Sequence, residues 1–304
     1  QQGVGQTPAT ALGMPNINVD SDSAGFPGFS MTNFTGFGDG NYMPSFNFEN
    51  IFTGSGSLTY LKGSHSMKFG GDVTRRRVNE TQSVNPRVNF AFTTAFTADP
   101  NNTGGTGNAM ASFLMGYPAT TDRNKYLIHP GYRMIETGWF FQDDWRVNRW
   151  LTLNPGIRWD YYSPISECNG LAPNFDFVAQ KAVFPGKDGV SMSGNVQKDR
   201  NNFSPRMGFA AQVGQKTVVR GGFGINYTPL LLGTFNAYRN PPYTSTLAIQ
   251  AGNITPINKL GDPIPPVTPN DPVNLSGPFY AVIFNYKTPY VLQYNLTVQR
   301  QLPK

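Results

Sequence analysis

A single cysteine in 304 residues, Cys168, excludes an internal disulfide and any cysteine-built metal cage. Histidine is nearly as scarce. His65 and His129 stand far apart with no ligand spacing around them, and His65, in Lys-Gly-Ser-His-Ser, reads as a turn residue. This inventory gives no reason to expect a cofactor or metal. No run of about 18 apolar residues occurs, which excludes a helical membrane span, and no secretory hydrophobic segment opens the chain. Charge is thin too, at 14%, against about a quarter in ordinary soluble domains. The net charge of +6 is dispersed, with one dense run at Arg75-Arg76-Arg77. Without a basic stripe interleaved with stacking aromatics, nucleic acid is not an expected partner.

What the chain does hold is glycine (33), proline (25) and aromatics (13%) among Asn, Thr, Ser and Gln, a palette of strands and loops. All four tryptophans fall between Trp139 and Trp159, and that segment alternates. The odd positions Ile135, Thr137, Trp139, Phe141, Asp143, Trp145 and Val147 oppose Glu136, Gly138, Phe140, Gln142, Asp144 and Arg146. After Arg-Val-Asn-Arg, the residues Leu151, Leu153, Pro155, Ile157, Trp159 and Tyr161 oppose Thr152, Asn154, Gly156, Arg158 and Asp160. Period 2 is the strand signature, and the short link predicts a hairpin. The same pattern recurs around residues 66–75, 203–213, 216–227 and 290–301. These strands run to about ten residues or more, near the ~9–11 that cross a bilayer when tilted and beyond the ~5–6 usual in soluble sheets.

The connections are asymmetric. Short turns at residues 61–66, 146–149 and 213–216 alternate with long links rich in Pro, Gly and Asn at about 79–124, 163–202 and 229–288. Outer-membrane barrels have this pattern, with short periplasmic turns and long extracellular loops. The expectation is therefore an all-β fold, an antiparallel transmembrane β-barrel segment of about eight to ten strands occupying residues 1–304. A cation at the bilayer midplane on the lipid face costs about 2–4 kcal/mol, and a one-residue slip would turn every charged position outward. The apolar parity is thus expected to meet lipid, with Trp139, Trp145, Trp159, Tyr161, Phe223 and Tyr227 as lipid-facing or interfacial aromatics, and Trp150 and Tyr162 at the girdles. Glu136, Arg158, Asp160, Arg206 and Arg220 are expected on a polar lumen wall.

No nucleophile–base or metal constellation is visible, so an enzyme is not expected. Asp143 and Asp144 occupy adjacent strand positions and point to opposite faces, which separates them as an acid/base pair. Asp143 shares the apolar parity and is expected near the headgroups. Arg-Gly-Gly-Phe-Gly at 220–224 lacks the Gly-Lys-Ser/Thr ending of a phosphate loop. Gly107 to Gly116 reads as a short helix inside a long loop, packing over the barrel mouth or offering Phe113 or Met115 to a ligand. Gly261 to Pro272 reads as a stiff, proline-dense extracellular loop. Arg75, Arg76 and Arg77 end a strand, either solvated or meeting outer-leaflet phosphates.

The stretch FFQDDWRVNRWLTLNPGIRWDYYSP (residues 140–164) resembles the barrel of TonB-dependent outer-membrane receptors, where a Gln-Asp-x-Trp strand leads through a turn to Leu-Thr-Leu-Asn-x-Gly-x-Arg-Tyr. Trp159 stands here in the Tyr place. LKGSHSMKFGGDVTRRRVN, GNAMASFLMGYP, NNFSPRMGFA, KTVVRGGFGINY and PYVLQYNLTVQRQL, spread from Leu61 onward, narrow the resemblance to the Oar-like branch. It implies energy-coupled import of an unidentified substrate through a plugged barrel of about 22 strands. The implied partners are outer-membrane lipid and the TonB complex acting through a plug. Neither plug nor TonB box is recognisable here. The start at Gln1-Gln2 and the stop at Lys304 lead us to expect a fragment. A passive porin or structural barrel, and a soluble extracellular glycan-binding β-domain, are the alternatives.

Overall fold

The computed structural model describes residues 8–15, 17–229, 239–252, 254–265 and 278–302. In chain order its strands are β1 (Gly28–Met31), β2 (Phe34–Phe37), β3 (Phe46–Lys62), β4 (His65–Thr81), β5 (Asn89–Phe92), β6 (Thr120–Asn124), β7 (Gly131–Arg146), β8 (Leu151–Tyr162), β9 (Ser166–Glu167), β10 (Asn174–Asp176), β11 (Lys181–Val183), β12 (Asn202–Gln212), β13 (Thr217–Tyr227), β14 (Thr246–Gln250) and β15 (Tyr290–Arg300). The helices are α1 (Pro8–Ala11) and α2 (Ala109–Met115).

The main sheet is an antiparallel wall in the order β15-β13-β12-β8-β7-β4-β3, with β9 added on β7. Neighbours in this order follow one another along the chain wherever a short turn joins them, as in β3–β4, β7–β8 and β12–β13. Gly63 and Gly214 lie in two of these turns at φ +58° and +73°, a left-handed conformation that needs glycine. The amide of Arg146 donates to the Ser64 carbonyl (2.8 Å), and that of Gln212 to the Trp150 carbonyl (2.8 Å). Each turn therefore reaches past the one before it, the stagger of tilted strands. All the long connections leave from the opposite end. This is the all-β antiparallel barrel wall that the alternation predicts. His65 departs from expectation. It is the first residue of β4, paired with Lys62 and Trp145 across two ladders, so the turn is tighter than its sequence suggested.

The long connections are not irregular strings. Together with the segment before β3, which supplies β1 and β2, they build a second, five-stranded sheet in the order β14-β6-β5-β1-β2, with β1 and β5 pairing in parallel. Its core gathers Met14, Ile17, Phe29, Met31, Val88, Phe90, Phe92 and Ile264. Phe29 stacks on Phe37 (4.8 Å) and Phe90 (5.6 Å), with Phe113 set edge-on at 5.8 Å. Phe113 thus packs against the core of this sheet, and Met115 is exposed. Helix α2 lies where the sequence places it. Asn108 caps its N-terminus through bonds to the Met110 and Ala111 amides, and Gly116 ends it at φ +81°. Of the proline-dense stretch 261–272, residues 266–272 lie outside the described residues.

Buried polar clips hold these loops, because their apolar content alone is low. Asn174 bonds the backbone of Gly194 and Val282. Asn240 bonds Pro173 and Tyr280, and buried Glu167 accepts from the amides of Gly131, Asn169 and Leu171. Each fixes backbone groups that would otherwise be buried without partners. In the five-stranded sheet, burial lowers the pKa of Arg123 from the ordinary arginine value, and backbone carbonyls, including that of Pro265 at 2.9 Å, receive its guanidinium.

Candidate functional site

Register decides which side chains share a face, because directly paired residues point the same way. Across β4, β7, β8, β12, β13 and β15, one face carries Phe69, Phe141, Ile157, Pro205 and, a step along, Trp139, Trp159, Phe203, Tyr227 and Tyr290. Trp139 (56% exposed), Phe203 (52%) and Tyr294 (84%) are all open to the surroundings. Leu58, Phe52, Met207, Phe223, Leu292, Leu296 and Val298 continue this exposed apolar surface. Trp159 and Tyr161 stack at 6.2 Å, and Gly71 leaves its Cβ space to the Trp139 ring, 2.4 Å from where that carbon would be. All six aromatics named from the sequence fall on this face: Trp139, Trp145, Trp159, Tyr161, Phe223 and Tyr227. Monomeric soluble proteins rarely expose contiguous apolar patches larger than a few hundred Å², and larger ones mark contact with a partner or a membrane.

The lower edge of the apolar face is marked by Asp143. Its carboxylate meets His65 Nδ1 at 2.6 Å, and the His65 ring stacks on Trp145 at 5.2 Å. Sequence separation hid this pair, since the two residues lie 78 apart. The upper edge on the same strands is Arg75, opposite Ile135. From His65 to Arg75 a strand rises about 33 Å along its axis at ~3.3 Å per residue, or about 23 Å vertically at ~45° tilt. That matches the ~25 Å apolar band of outer-membrane barrels.

The other face is polar. Asp144, Asn154, Gln142, Gly156, Arg206, Gly208, Gly222 and Gly224 lie on it by register. So do all five wall residues proposed from the sequence, though they do not form one cluster. Arg158 and Asp160 meet directly (Nε to Oδ1, 2.7 Å), and Arg158 Nη2 also reaches Asp72 Oδ1 on β4 at 2.8 Å. Gly138 makes room for this bridge, since a Cβ there would lie 1.9 Å from Arg158 Nη2. Glu136 belongs to a second group, accepting from Arg76 Nε at 2.6 Å, while Arg76 Nη1 lies 3.6 Å from Glu49. Arg76 therefore parts from its neighbours. Alternation sends it to the polar face and Arg75 and Arg77 to the other, so the three do not act as one run. Asp72, Arg76 and Glu49 were the residues that sequence reasoning left out. Parity held the signal for Asp72 and Arg76, but only strand pairing shows what they meet.

Arg206 and Arg220 stand apart from both groups. Among the described residues neither has an acidic group within salt-bridge distance, and β12, β13 and β15 contain no Asp or Glu. Arg206 borders an open trough of about 880 Å³ lined by Gln142, Asn154, Asn226, Gln293 and Asn295 over a floor of Gly208, Gly222 and Gly224. A Cβ on those glycines would meet its nearest atoms at 3.4, 3.6 and 3.7 Å, ordinary contact, so the wall's own packing does not demand them. The acids Glu49, Asp72, Glu136 and Asp160 lie on β3, β4, β7 and β8, and Arg206 and Arg220 on the neighbouring β12 and β13.

At the end of the long loops the polar parity changes character. Val78, Tyr132 and Met134 lie on it, buried against Ile165 and Ala172, with Tyr162 and Val282 packed alongside. The 163–201 connection thus folds over the inner face at this end instead of standing away from it.

Among the described residues no group of three or more His, Cys, Asp and Glu side chains is placed to hold a metal, and no helix is long and apolar enough to cross a membrane. A family model described as an outer membrane beta barrel domain matches residues 1–304. No curated protein and no solved structure matches the chain.

Proposed function

From the chain's membership of the outer membrane β-barrel domain family, which places it in the bacterial outer membrane, we propose that it forms part of the wall of an active importer of the TonB-dependent receptor type. In this reading the apolar face meets lipid and the polar face lines the lumen. The Arg158–Asp72–Asp160 and Arg76–Glu136–Glu49 groups are wall features, and Arg206 and Arg220, without an acidic partner among the described residues, are cations facing the passage. The chain itself carries out no catalysis. The substrate passes over the amide-and-arginine wall, and energy comes from the TonB complex through a plug domain of the whole protein.

The observation that carries this reading is the mouth. Loop residues Ile165 and Ala172 pack on Val78, Tyr132 and Met134 of the inner face, and the segment before β3 joins the long connections in a separate five-stranded sheet. An inner face covered by loop residues at this end suits a gated receptor better than an open pore. The sequence resemblance to Oar-like receptors supports the same assignment. A passive porin shares the strand physics, and conductance separates the two. The full-length protein in a planar lipid bilayer is expected to show no steady current and, in living cells, to crosslink to TonB. A stable ohmic conductance with no TonB crosslink would overturn the receptor reading in favour of the porin.

A further inference from the structure

We propose that the outer rim of this wall carries a binding site for the phosphate groups of an outer-leaflet lipid, built by Arg75, Arg77, Arg133 and Lys198. Arg75 and Arg77 lie on β4 and Arg133 on β7, all on the parity of the apolar face. Arg77 is directly opposite Arg133. Like charges in that position repel and destabilise a sheet unless an anion lies between them. Among the described residues no carboxylate lies within salt-bridge distance of any of the four cations. Arg76, one residue away, turns to the other face and takes two glutamates there. The acids at this level thus pair on the inner side, and among the described residues the outward arginines have no acidic partner, Arg133 donating only to the Tyr132 and Val78 carbonyls.

Three further observations point the same way. Arg77 Nε is buried and has no hydrogen-bond partner, while its guanidinium lies over the Phe52 ring at 5.6 Å. Arg75, Arg133 and Lys198 border one cavity of about 350 Å³, with Ser163, Ser166 and Ser193 also in its lining. Cations on two adjacent strands beside one cavity suit phosphate oxygens, which arginine engages in bidentate fashion. Height is the last argument. Arg75 lies one apolar-band thickness, about 23 Å, above the His65–Asp143 edge, on the side of the long loops. That is the headgroup level of the outer leaflet. A free metabolite would have no reason to be received on a face that is otherwise apolar. The inference depends on the apolar face lying in lipid and is independent of whether the protein transports anything.

The test uses full-length protein extracted from outer membranes in mild detergent, examined by native mass spectrometry with added bis-phosphorylated lipid A, its dephosphorylated form, or inorganic phosphate. Wild type is expected to retain the phosphorylated lipid through dilution and to release the dephosphorylated form. Arg75→Gln/Arg77→Gln/Arg133→Gln is expected to weaken retention on the order of a hundredfold or more, at roughly a factor of five per cation near a lipid surface. Arg149→Gln, which removes a charge at the opposite rim, is expected to leave it unchanged. Equal retention of the two lipid forms by wild type overturns the proposal and needs no variant to fold. Displacement of the lipid by inorganic phosphate at equal concentration overturns the lipid as the ligand, and undiminished retention in a triple variant that keeps its heat-modifiable mobility overturns the residues.

Discussion

Placing arginine at Trp139 measures how the wall sits in the membrane. Trp139 is six positions along β7 from Trp145, which pairs with His65 at the lower edge, and pairs with Gly71, four positions below Arg75. At ~3.3 Å per residue and ~45° tilt it lies about 14 Å above the lower edge, within a few Å of the middle of a ~25 Å band. Trp139→Arg then adds about 2–4 kcal/mol for a midplane cation and loses about 2 kcal/mol of apolar surface, about 4–6 kcal/mol together. The matched control is Ser55→Arg. Ser55 pairs with Asp72 on the polar face, one row from Gly71, so the new guanidinium gains a carboxylate and is expected to change stability by less than about 1 kcal/mol. Reversible urea unfolding of the full-length barrel in lipid vesicles, followed by the heat-modifiable gel shift, reads both values. If Trp139→Arg cost under 1 kcal/mol, or Ser55→Arg cost as much as Trp139→Arg, the assignment of faces would be wrong.

Three further perturbations test the wall and the five-stranded sheet. Arg158→Met strands Asp160, whose side chain is 8% exposed, beside Asp72 at 35%. After discounting the more exposed partner the expected loss is about 2–3 kcal/mol, and adding Asp72→Asn and Asp160→Asn should recover most of it in the same unfolding assay. Gly138→Val places a side chain where Arg158 Nη2 now lies and should destabilise by a similar amount, non-additively with Arg158→Met, as a double-mutant cycle would show. Asn108→Ala removes the cap of α2, a local loss of about 1 kcal/mol. It should raise protease cleavage within residues 93–120 while leaving the barrel's unfolding midpoint in place.

The legible part of this fold was whatever obeys period 2 over ten residues. In β7 and β8 the parity of Trp139, Phe141, Ile157 and Trp159 against Glu136, Arg158 and Asp160 gave both faces before any pairing was known, and the three short turns gave the order of the hairpins. The five-stranded sheet was not legible. β1 and β5 are four residues each, too short for a periodic signal, and their parallel pairing depends on a contact between segments about sixty residues apart. β3 escaped description for another reason. Its Gly54-Ser55-Gly56-Ser57 stretch offers no apolar alternation, and Phe46 through Lys62 become a strand by pairing with β4. Of the polar wall, sequence supplied the face of each residue but none of the partners. Arg158 finds Asp72 86 positions away and Arg76 finds Glu136 60 positions away, distances that only strand order closes. Arg75-Arg76-Arg77 shows how a charge run misleads, since the strand divides it between two environments.

The claim on which the rest depends is that the Trp139 face lies against acyl chains, and depth-resolved quenching tests it most directly. A single-tryptophan protein keeping Trp139, with Trp145, Trp150 and Trp159 replaced by phenylalanine, would be reconstituted into vesicles of lipids brominated at different acyl positions. Trp139 fluorescence is expected to be quenched most by bromines deep in the chains. Equal fluorescence in brominated and plain lipid, with quenching by aqueous iodide instead, would contradict the account.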